Sequence, residues 1–209
     1  MRIYIHPLPI RIWHWTNALG FVVMILSGLQ IRYIGLIDVV SYRTGVLIHN
    51  FVGFVLIASF LLWLALYIAS ARIRSYHTKF NIKEYLVGSF RQVMYYAFGI
   101  FRGDPEPFTP SVHNKFNPLQ STIYHFVMML LFPVQIYTGV LLWDVKRFQS
   151  QIDFFGGIRV IDTVHVIAFI AFVNYILIHA YLGTLGHTRT AHYKAMMSGY
   201  ADIEQEAAE

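Results

Sequence analysis

Four long apolar runs dominate the pattern of hydrophobic and polar positions along the 209-residue chain. They cover residues 12–30, 46–70, 121–143 and 160–182, and more polar segments separate them. A helix needs about 20 predominantly apolar residues to cross the hydrocarbon core of a bilayer, so each run is long enough to span one. The pattern predicts an all-α integral membrane protein, a transmembrane four-helix bundle that forms one domain over residues 1–209.

The longest connection, residues 71–120, contains a different pattern. Apolar residues recur at helical spacing between Leu86 and Phe101, and the segment GDPEPFTP follows them. Such spacing is typical of an amphipathic helix that lies in the membrane interface with its apolar face toward lipid. We therefore expect an interfacial helix between the second and third spans, although a helix that only covers the bundle fits the same pattern.

Composition supports lipid as the surrounding solvent. The chain is 56% hydrophobic and 13% charged, whereas a soluble domain has about 25% charged residues. It contains no cysteine, which excludes a thiolate-bound iron–sulfur cluster, a cysteine nucleophile and covalently attached c-type haem within this chain.

The positive charges are distributed unevenly over the two sides of the predicted bundle. The N-terminus, the 71–120 connection and the C-terminal tail carry eleven of the 16 Lys and Arg residues. Loops that face the cytoplasm carry an excess of these residues. Both termini are therefore predicted to be cytoplasmic.

Histidines occur at two depths of the predicted bundle. His165 and His179 are fourteen residues apart on the fourth span, which puts them about 21 Å apart along the helix and within about 40° of one another around it. Because successive spans alternate in direction, His49 falls at the outer depth with His165. His14 and His125 fall at the inner depth with His179.

Neutral imidazoles that face one another across a helical bundle are suited to axial ligation of haem iron. Paired histidines at two depths therefore predict two haems, one toward each membrane surface. His49 and His165 form the outer pair, whereas depth alone leaves the inner pair open among His14, His125 and His179. Intramembrane histidines also hydrogen-bond to neighbouring helices, so a haem-free transporter or proton-relay protein is the alternative of a different class.

Glycines lie close to several of these positions. Gly45 and Gly53 stand four residues before and after His49, while Gly28 and Gly139 lie in the first and third spans. A face without side chains could accommodate a porphyrin, but small residues also allow helices to pack closely. The two interpretations are equally good beside His49, and helix packing is the better one for Gly28 and Gly139.

Several stretches together resemble a known family: RIWHWTNALG in the first span, GVLIHNFVG in the second, KFNPLQ before the third, and the His165–His179 pair. The resemblance is to the di-haem cytochrome b membrane subunits of respiratory oxidoreductases, which include formate dehydrogenase gamma subunits and the cytochromes b of thiosulfate reductases and nickel–iron hydrogenases. It extends over essentially the whole chain. It implies a multi-pass protein of the bacterial cytoplasmic membrane.

The resemblance also implies the haem ligands. In the family, the first-span histidine pairs with the later fourth-span histidine, which corresponds here to His14 with His179. The second-span histidine pairs with the earlier one, here His49 with His165. Two bis-histidine haem b groups are therefore expected, and His125 is expected to serve in quinone contact or proton transfer instead.

A quinone site is implied by the same resemblance. The family binds menaquinone with an Asn and a Gln near the inner haem, and the corresponding residues here are Asn117 and Gln120. Pro118-Leu119 departs from the smaller residues expected between them, which leaves open the choice between menaquinone and ubiquinone. Asn117 also fits the position of a helix N-cap.

The implied function is transmembrane electron transfer as a subunit rather than as a complete enzyme. Expected partners are membrane lipid, a quinone, and, on the outer face, a catalytic subunit with an iron–sulfur or multihaem electron-transfer subunit. A higher-order oligomer of the complex is compatible with this assembly, and nucleic acid is not expected. The alternatives are a stand-alone cytochrome b that passes electrons from a small donor to quinone, the haem-free protein, and a purely structural anchor.

Overall fold

The computed structural model describes residues 2–69, 82–105, 107–108, 117–185 and 188–202. The elements are, in chain order, β1 (Arg2–Tyr4), α1 (Leu8–Arg32), α2 (Tyr42–Ala69), α3 (Ile82–Met94), a π-helical turn (Tyr95–Gly99), α4 (Ile100–Arg102), α5 (Pro118–Phe126), a second π-helical turn (Val127–Leu131), α6 (Phe132–Trp143), α7 (Gln149–Phe154), α8 (Ile158–Leu182), α9 (Ala191–Ser198) and β2 (Tyr200–Asp202).

Four helices are long and apolar enough to cross a membrane. They are α1, α2, the continuous helix Pro118–Trp143 formed by α5, the second π-helical turn and α6, and α8, with 25, 28, 26 and 25 residues. Many of their large apolar side chains, such as Leu19, Leu62 and Ile167, are exposed, as side chains that face lipid must be. These helices confirm the prediction of an all-α membrane protein. Each begins two to four residues before the predicted span, and the first also ends two residues later.

The described residues divide into two compact units. The first comprises residues 1–60 and 138–209. Within it, α1 packs on α8 through Phe21 and Phe172, whose ring centroids are 5.0 Å apart. At the end of α1, Arg32 forms a 3.0 Å ion pair with Asp162 of α8.

Polar side chains tie α1 to α2 within this unit. The Asn17 amide nitrogen donates to Ser59 Oγ at 2.8 Å, and Trp13 Nε1 donates to the Ser59 carbonyl at 3.2 Å. The buried Gln30 amide bonds both the carbonyl and the N–H of Val40 in the connection between the two helices. Interhelical hydrogen bonds of this kind satisfy polar groups that would otherwise face hydrocarbon.

A short sheet joins the two ends of the chain. β1 and β2 are antiparallel, with Tyr4 opposite Tyr200. Gly199, which precedes β2, has a left-handed φ of 90°, and a Cβ there would lie 2.8 Å from the His6 carbonyl oxygen. The sequence analysis did not predict this sheet, because three-residue strands are too short to show an alternating apolar pattern.

The second unit comprises residues 61–137. In it α3 packs closely on α5, since a Cβ at Gly88 would lie only 2.7 Å from the Pro118 ring. The predicted amphipathic pattern does form a helix, and its apolar residues Leu86 and Phe90 are exposed while Gln92 is buried. Its location at the membrane interface stays a prediction, as does the cytoplasmic position of the termini.

Gly199 provides a test of the terminal sheet. The Gly199→Ala substitution should lower the free energy of unfolding by about 1–3 kcal/mol, because the new Cβ adds a steric clash to the strain of a left-handed backbone. Gly35→Ala is the matched control: Gly35 has φ 84° and open space around it, so only the strain applies. Thermal unfolding in detergent measures both changes, and equal losses in the two variants would contradict the clash.

Candidate functional site

His14 and His179 lie next to one another in the structure. His14 is in the second turn of α1 and His179 in the last turn of α8, and their ring centroids are 6.2 Å apart with the ring planes at 49°. Two imidazoles that bind one metal ion from opposite sides, each through a bond of about 2 Å, have ring centres roughly 6 Å apart. The observed separation is therefore compatible with a shared metal ion.

The surroundings of this pair leave one ring nitrogen of His14 unused. His14 Nδ1 is buried and has no hydrogen-bond partner among the described residues. The His179 ring stacks on Tyr175, one turn earlier in α8, at 5.7 Å and 22°. The neighbouring Trp15 presents its edge to His14 at 5.2 Å. Aromatic contacts therefore orient both rings of the pair.

His49 is held from α1. Ser27 Oγ lies 2.9 Å from His49 Nδ1 and donates its own hydrogen to the Val23 carbonyl at 2.7 Å. Because the serine hydrogen is used in that way, the Nδ1–H of His49 is the donor to Ser27. A Cβ on the next residue, Gly28, would lie 3.4 Å from His49 Cε1.

His165 is held in the same manner from α6. Thr138 Oγ1 lies 2.9 Å from His165 Nδ1. A Cβ on the next residue, Gly139, would lie 3.2 Å from His165 Cε1. A hydroxyl and a glycine thus cover the Nδ1–Cε1 edge of the ring, and Nε2 is at the opposite edge.

His125 has a partner within its own helix. Its Nδ1 lies 2.7 Å from the carbonyl oxygen of Ser121, four residues earlier, and a ring N–H is the donor to such an oxygen. Tyr124 meets the same ring edge-on at 5.5 Å. Of the three inner histidines, His14 and His179 are the two whose rings are recorded in contact with each other.

Asn117 and Gln120 form a capping box at the start of α5. Asn117 Oδ1 accepts from the Gln120 N–H at 2.8 Å, and Gln120 Oε1 accepts from the Asn117 N–H at 3.1 Å. Asn117 Nδ2 also donates to the Tyr96 hydroxyl at 3.3 Å. The helix-cap interpretation of Asn117 is therefore observed, and its role toward a quinone stays a prediction.

The glycines separate into two groups by what they face. Gly20, Gly45 and Gly53 face side chains of the neighbouring helix, namely Leu56, Gln30 and Met24. They serve the packing of α1 on α2. Gly28 and Gly139 face histidine rings instead, a contact that the sequence analysis did not anticipate.

Within the described ranges, no group of three or more His, Asp or Glu side chains is placed to bind a metal ion. Structural and catalytic zinc sites use three or four protein ligands. Histidines that come in pairs instead suit a metal whose other positions are filled by a macrocycle, as in haem. The donor set of this chain therefore fits haem iron.

Comparison with known proteins agrees with this chemistry. Residues 5–199 match the family described as prokaryotic cytochrome b561. The chain belongs to this family. It is a membrane cytochrome b, a multi-pass protein of the bacterial inner membrane that binds b-type haem and takes part in electron transfer.

Two curated relatives extend the match over nearly the whole cytochrome. A protein of Escherichia coli (strain K12) named cytochrome YdhU is 34% identical over 202 residues, which cover 95% of this chain and 74% of the relative. A protein of Cupriavidus necator (strain H16) named Ni/Fe-hydrogenase B-type cytochrome subunit is 25% identical over 224 residues, which cover 94% and 86%. These findings confirm the family resemblance inferred from the sequence.

The sequence analysis missed Ser27 and Thr138. Their signal is a hydroxyl residue followed directly by glycine inside an apolar span, which occurs as SG in the first span and TG in the third. The pattern is short, and its relation to a histidine becomes evident only when the neighbouring helices are in place.

The capping box of this cytochrome can be tested by substitution at Asn117. Asn117→Ala should lower the free energy of unfolding by about 1 kcal/mol, because a buried helix N-terminus loses its cap. Asn117→Ser retains a capping oxygen and should keep most of the stability. Thermal unfolding of the purified protein measures both, and an equal loss in the serine variant would show that capping is not the main contribution of Asn117.

Proposed function

We propose that this cytochrome holds two b-type haems at two levels of the membrane and carries electrons between a partner subunit on the outer face and a quinone near the cytoplasmic side. The observation that carries the proposal is the approach of the His14 and His179 rings to 6.2 Å. Two imidazoles from separate spans, at a separation compatible with a shared metal ion, support a shared haem in a chain of this family.

The ligand assignment follows the helices. His14 and His179 would hold the inner haem, and His49 and His165 the outer one. A haem bound by two histidines takes up and releases one electron at its iron. His165 and His179 belong to the same continuous helix, α8, so the two levels are about 21 Å apart along its axis.

The chain's own residues would orient the imidazoles and keep them neutral in an apolar environment. Tyr175 stacks on His179, while Ser27 and Thr138 bond His49 and His165. Each contact comes from a transmembrane helix, so the ligand rings are supported by rigid elements. Fixed ligands are what an electron carrier needs, since little then has to move when the charge on the iron changes.

A partner subunit is part of the proposal because the chain lacks cysteine and, in its described part, shows no cluster of metal-binding side chains other than the paired histidines. The relative named as a Ni/Fe-hydrogenase cytochrome subunit supports membership in a multi-subunit oxidoreductase. The partner would carry iron–sulfur clusters or several haems and would connect to a catalytic subunit outside.

The quinone would bind near the cytoplasmic side, where the excess of Lys and Arg predicts the termini to be. Asn117 and Gln120 at the start of α5 are the candidate contacts, and they would have to exchange part of their capping bonds for the ligand. Reduction of quinone there would take protons from the cytoplasm. The transfer of electrons inward would then contribute to the proton-motive force.

The four spans would act as a single functional domain, with α3 as the interfacial helix. The apolar residues of α3, such as Leu86 and Phe90, support a position against lipid because their side chains are largely exposed. An interfacial helix near the start of α5 would also help to shape the quinone site.

The ligand pairs can be tested by single substitutions. His14→Ala and His179→Ala should each remove the same one of two haems, and His49→Ala and His165→Ala should each remove the other, because a haem with one axial protein ligand is poorly retained. Haem content from the pyridine haemochrome and ferric electron paramagnetic resonance spectra identify which haem is lost.

His125→Ala is the matched control, since His125 is also an intramembrane histidine. It should retain both haems. Loss of different haems in His14→Ala and His179→Ala would contradict the pairing. A purified wild-type protein without b-type absorption bands would contradict the proposed function itself.

The partner can be tested by isolating the cytochrome from native membranes in mild detergent. It should copurify with a subunit that contains iron–sulfur clusters or several haems, because under this proposal the partner supplies the electrons that the cytochrome carries. Metal analysis and mass spectrometry of the complex measure this. Isolation of the cytochrome alone, with full activity from a small soluble donor to quinone, would favour the stand-alone alternative.

A further inference from the structure

Two dipeptides share one arrangement around the outer histidines. The Ser27–Gly28 dipeptide of α1 lies against His49 of α2, and the Thr138–Gly139 dipeptide of α6 lies against His165 of α8. In both cases the hydroxyl oxygen is 2.9 Å from Nδ1. In both cases the glycine faces Cε1: a Cβ would be in van der Waals contact with the ring at Gly28, at 3.4 Å, and would press on it at Gly139, at 3.2 Å. The contact of α1 with α2 and the contact of α6 with α8 thus have the same local geometry.

The hydroxyl decides which ring nitrogen is available. Ser27 uses its hydrogen on the Val23 carbonyl, so it accepts the Nδ1–H of His49. The lone pair of the ring is then on Nε2, at the opposite edge. A metal-binding histidine that donates its second N–H to a fixed acceptor is held in one tautomer and one orientation, and its basicity is raised.

Among the described residues, no side-chain hydroxyl is recorded in a bond to either ring of the inner pair. His14 Nδ1 is buried without a hydrogen-bond partner in the described part of the chain, and the contact recorded for the His179 ring on its own helix is stacking on Tyr175. The two levels therefore differ in hydrogen bonding to the ligands, although both are built from paired histidines.

We infer that Ser27 and Thr138 are positioning residues that fix Nε2 of His49 and His165 as metal ligands and lower the reduction potential of the outer haem relative to the inner one. The inference rests on the proposed function. A more basic imidazole stabilises ferric iron over ferrous iron, and hydrogen bonding around the ligands is one of the means by which a protein sets haem potential.

The difference in reduction potential between the two haems would give electron transfer a preferred direction. A lower potential at the outer level and a higher one at the inner level favour the movement of electrons from the outer face toward the cytoplasmic side. Ser27 and Thr138 would therefore bias the cytochrome toward reduction of quinone at the cytoplasmic side. Gly28 and Gly139 would allow the hydroxyls to come close enough to bond the rings.

The experiment is a redox titration of the full-length cytochrome, purified with its two haems, in which the outer haem is identified as the one absent from His49→Ala. Ser27→Ala and the isosteric Thr138→Val should each raise the potential of that haem alone. One net hydrogen bond changes an equilibrium constant by about threefold to tenfold. The ratio of oxidised to reduced outer haem at a fixed ambient potential should change by this factor, which is roughly 30–60 mV for one electron.

Two further variants separate positioning from general packing. Thr138→Ser keeps the hydroxyl and should retain the wild-type potential. Ser59→Ala removes a hydroxyl that bonds Asn17 rather than a histidine, so it should change neither haem. Should a double variant, Ser27→Ala with Thr138→Val, lose the outer haem altogether, the potential of the outer haem in each single variant decides the question.

Three results would overturn the inference. They are unchanged potentials in both Ser27→Ala and Thr138→Val, an equal shift in Thr138→Ser, and a comparable shift in Ser59→Ala. The failure of the proposed function is distinguishable from these results, because it is the absence of two b-type haems from the wild-type protein. That outcome overturns the inference as well.

Discussion

The cost of placing polar groups in hydrocarbon constrains every membrane-spanning helix of this cytochrome. Backbone groups are satisfied within each helix, which leaves the polar side chains to find partners on neighbouring helices. Asn17 bonds to Ser59, and Ser27 bonds to His49. A histidine in such a place must have a ligand or a hydrogen-bond partner. The same constraint therefore fixes both the packing of α1 on α2 and the chemistry of the imidazoles.

The two levels of histidines satisfy that constraint in different ways. His49 and His165, the outer pair, each have a hydroxyl oxygen 2.9 Å from Nδ1. At the inner level His14 and His179 approach each other and are surrounded mainly by aromatic rings. The two pairs therefore have different surroundings, and under the proposed function this difference would distinguish two otherwise similar haems.

The terminal sheet is connected to the inner level through α1. Arg11 donates to the Met197 carbonyl, and Trp15 Nε1 donates to the Met196 carbonyl at 3.3 Å. These two residues lie on either side of His14 in the sequence. The pairing of β1 with β2 and the two bonds to α9 thus hold the beginning of α1, which carries His14, against the segment that follows α8, which carries His179.

The sequence by itself determined the class of protein, the four spans and the histidines at two depths, because hydrophobic run length and helical periodicity are properties of single helices. The resemblance supplied the pairing of His14 with His179, and the structure brings these rings together; the haem-ligand roles of the four histidines remain proposals. The sequence pattern did not reveal residues whose contacts depend on a second helix. Ser27 and Thr138 read as ordinary small residues of an apolar span, and Gly28 and Gly139 as packing positions.

These contacts come from the tertiary structure, since a hydroxyl can bond a histidine of another span only when the packing brings the ring within reach, here 2.9 Å. The tertiary structure also resolved Asn117, whose side chain caps α5 and contacts Tyr96, and it revealed the terminal sheet, whose strands are too short for a periodic pattern. What a single helix encodes can be recognised along the chain, whereas contacts between helices depend on register and rotation that the sequence pattern leaves open.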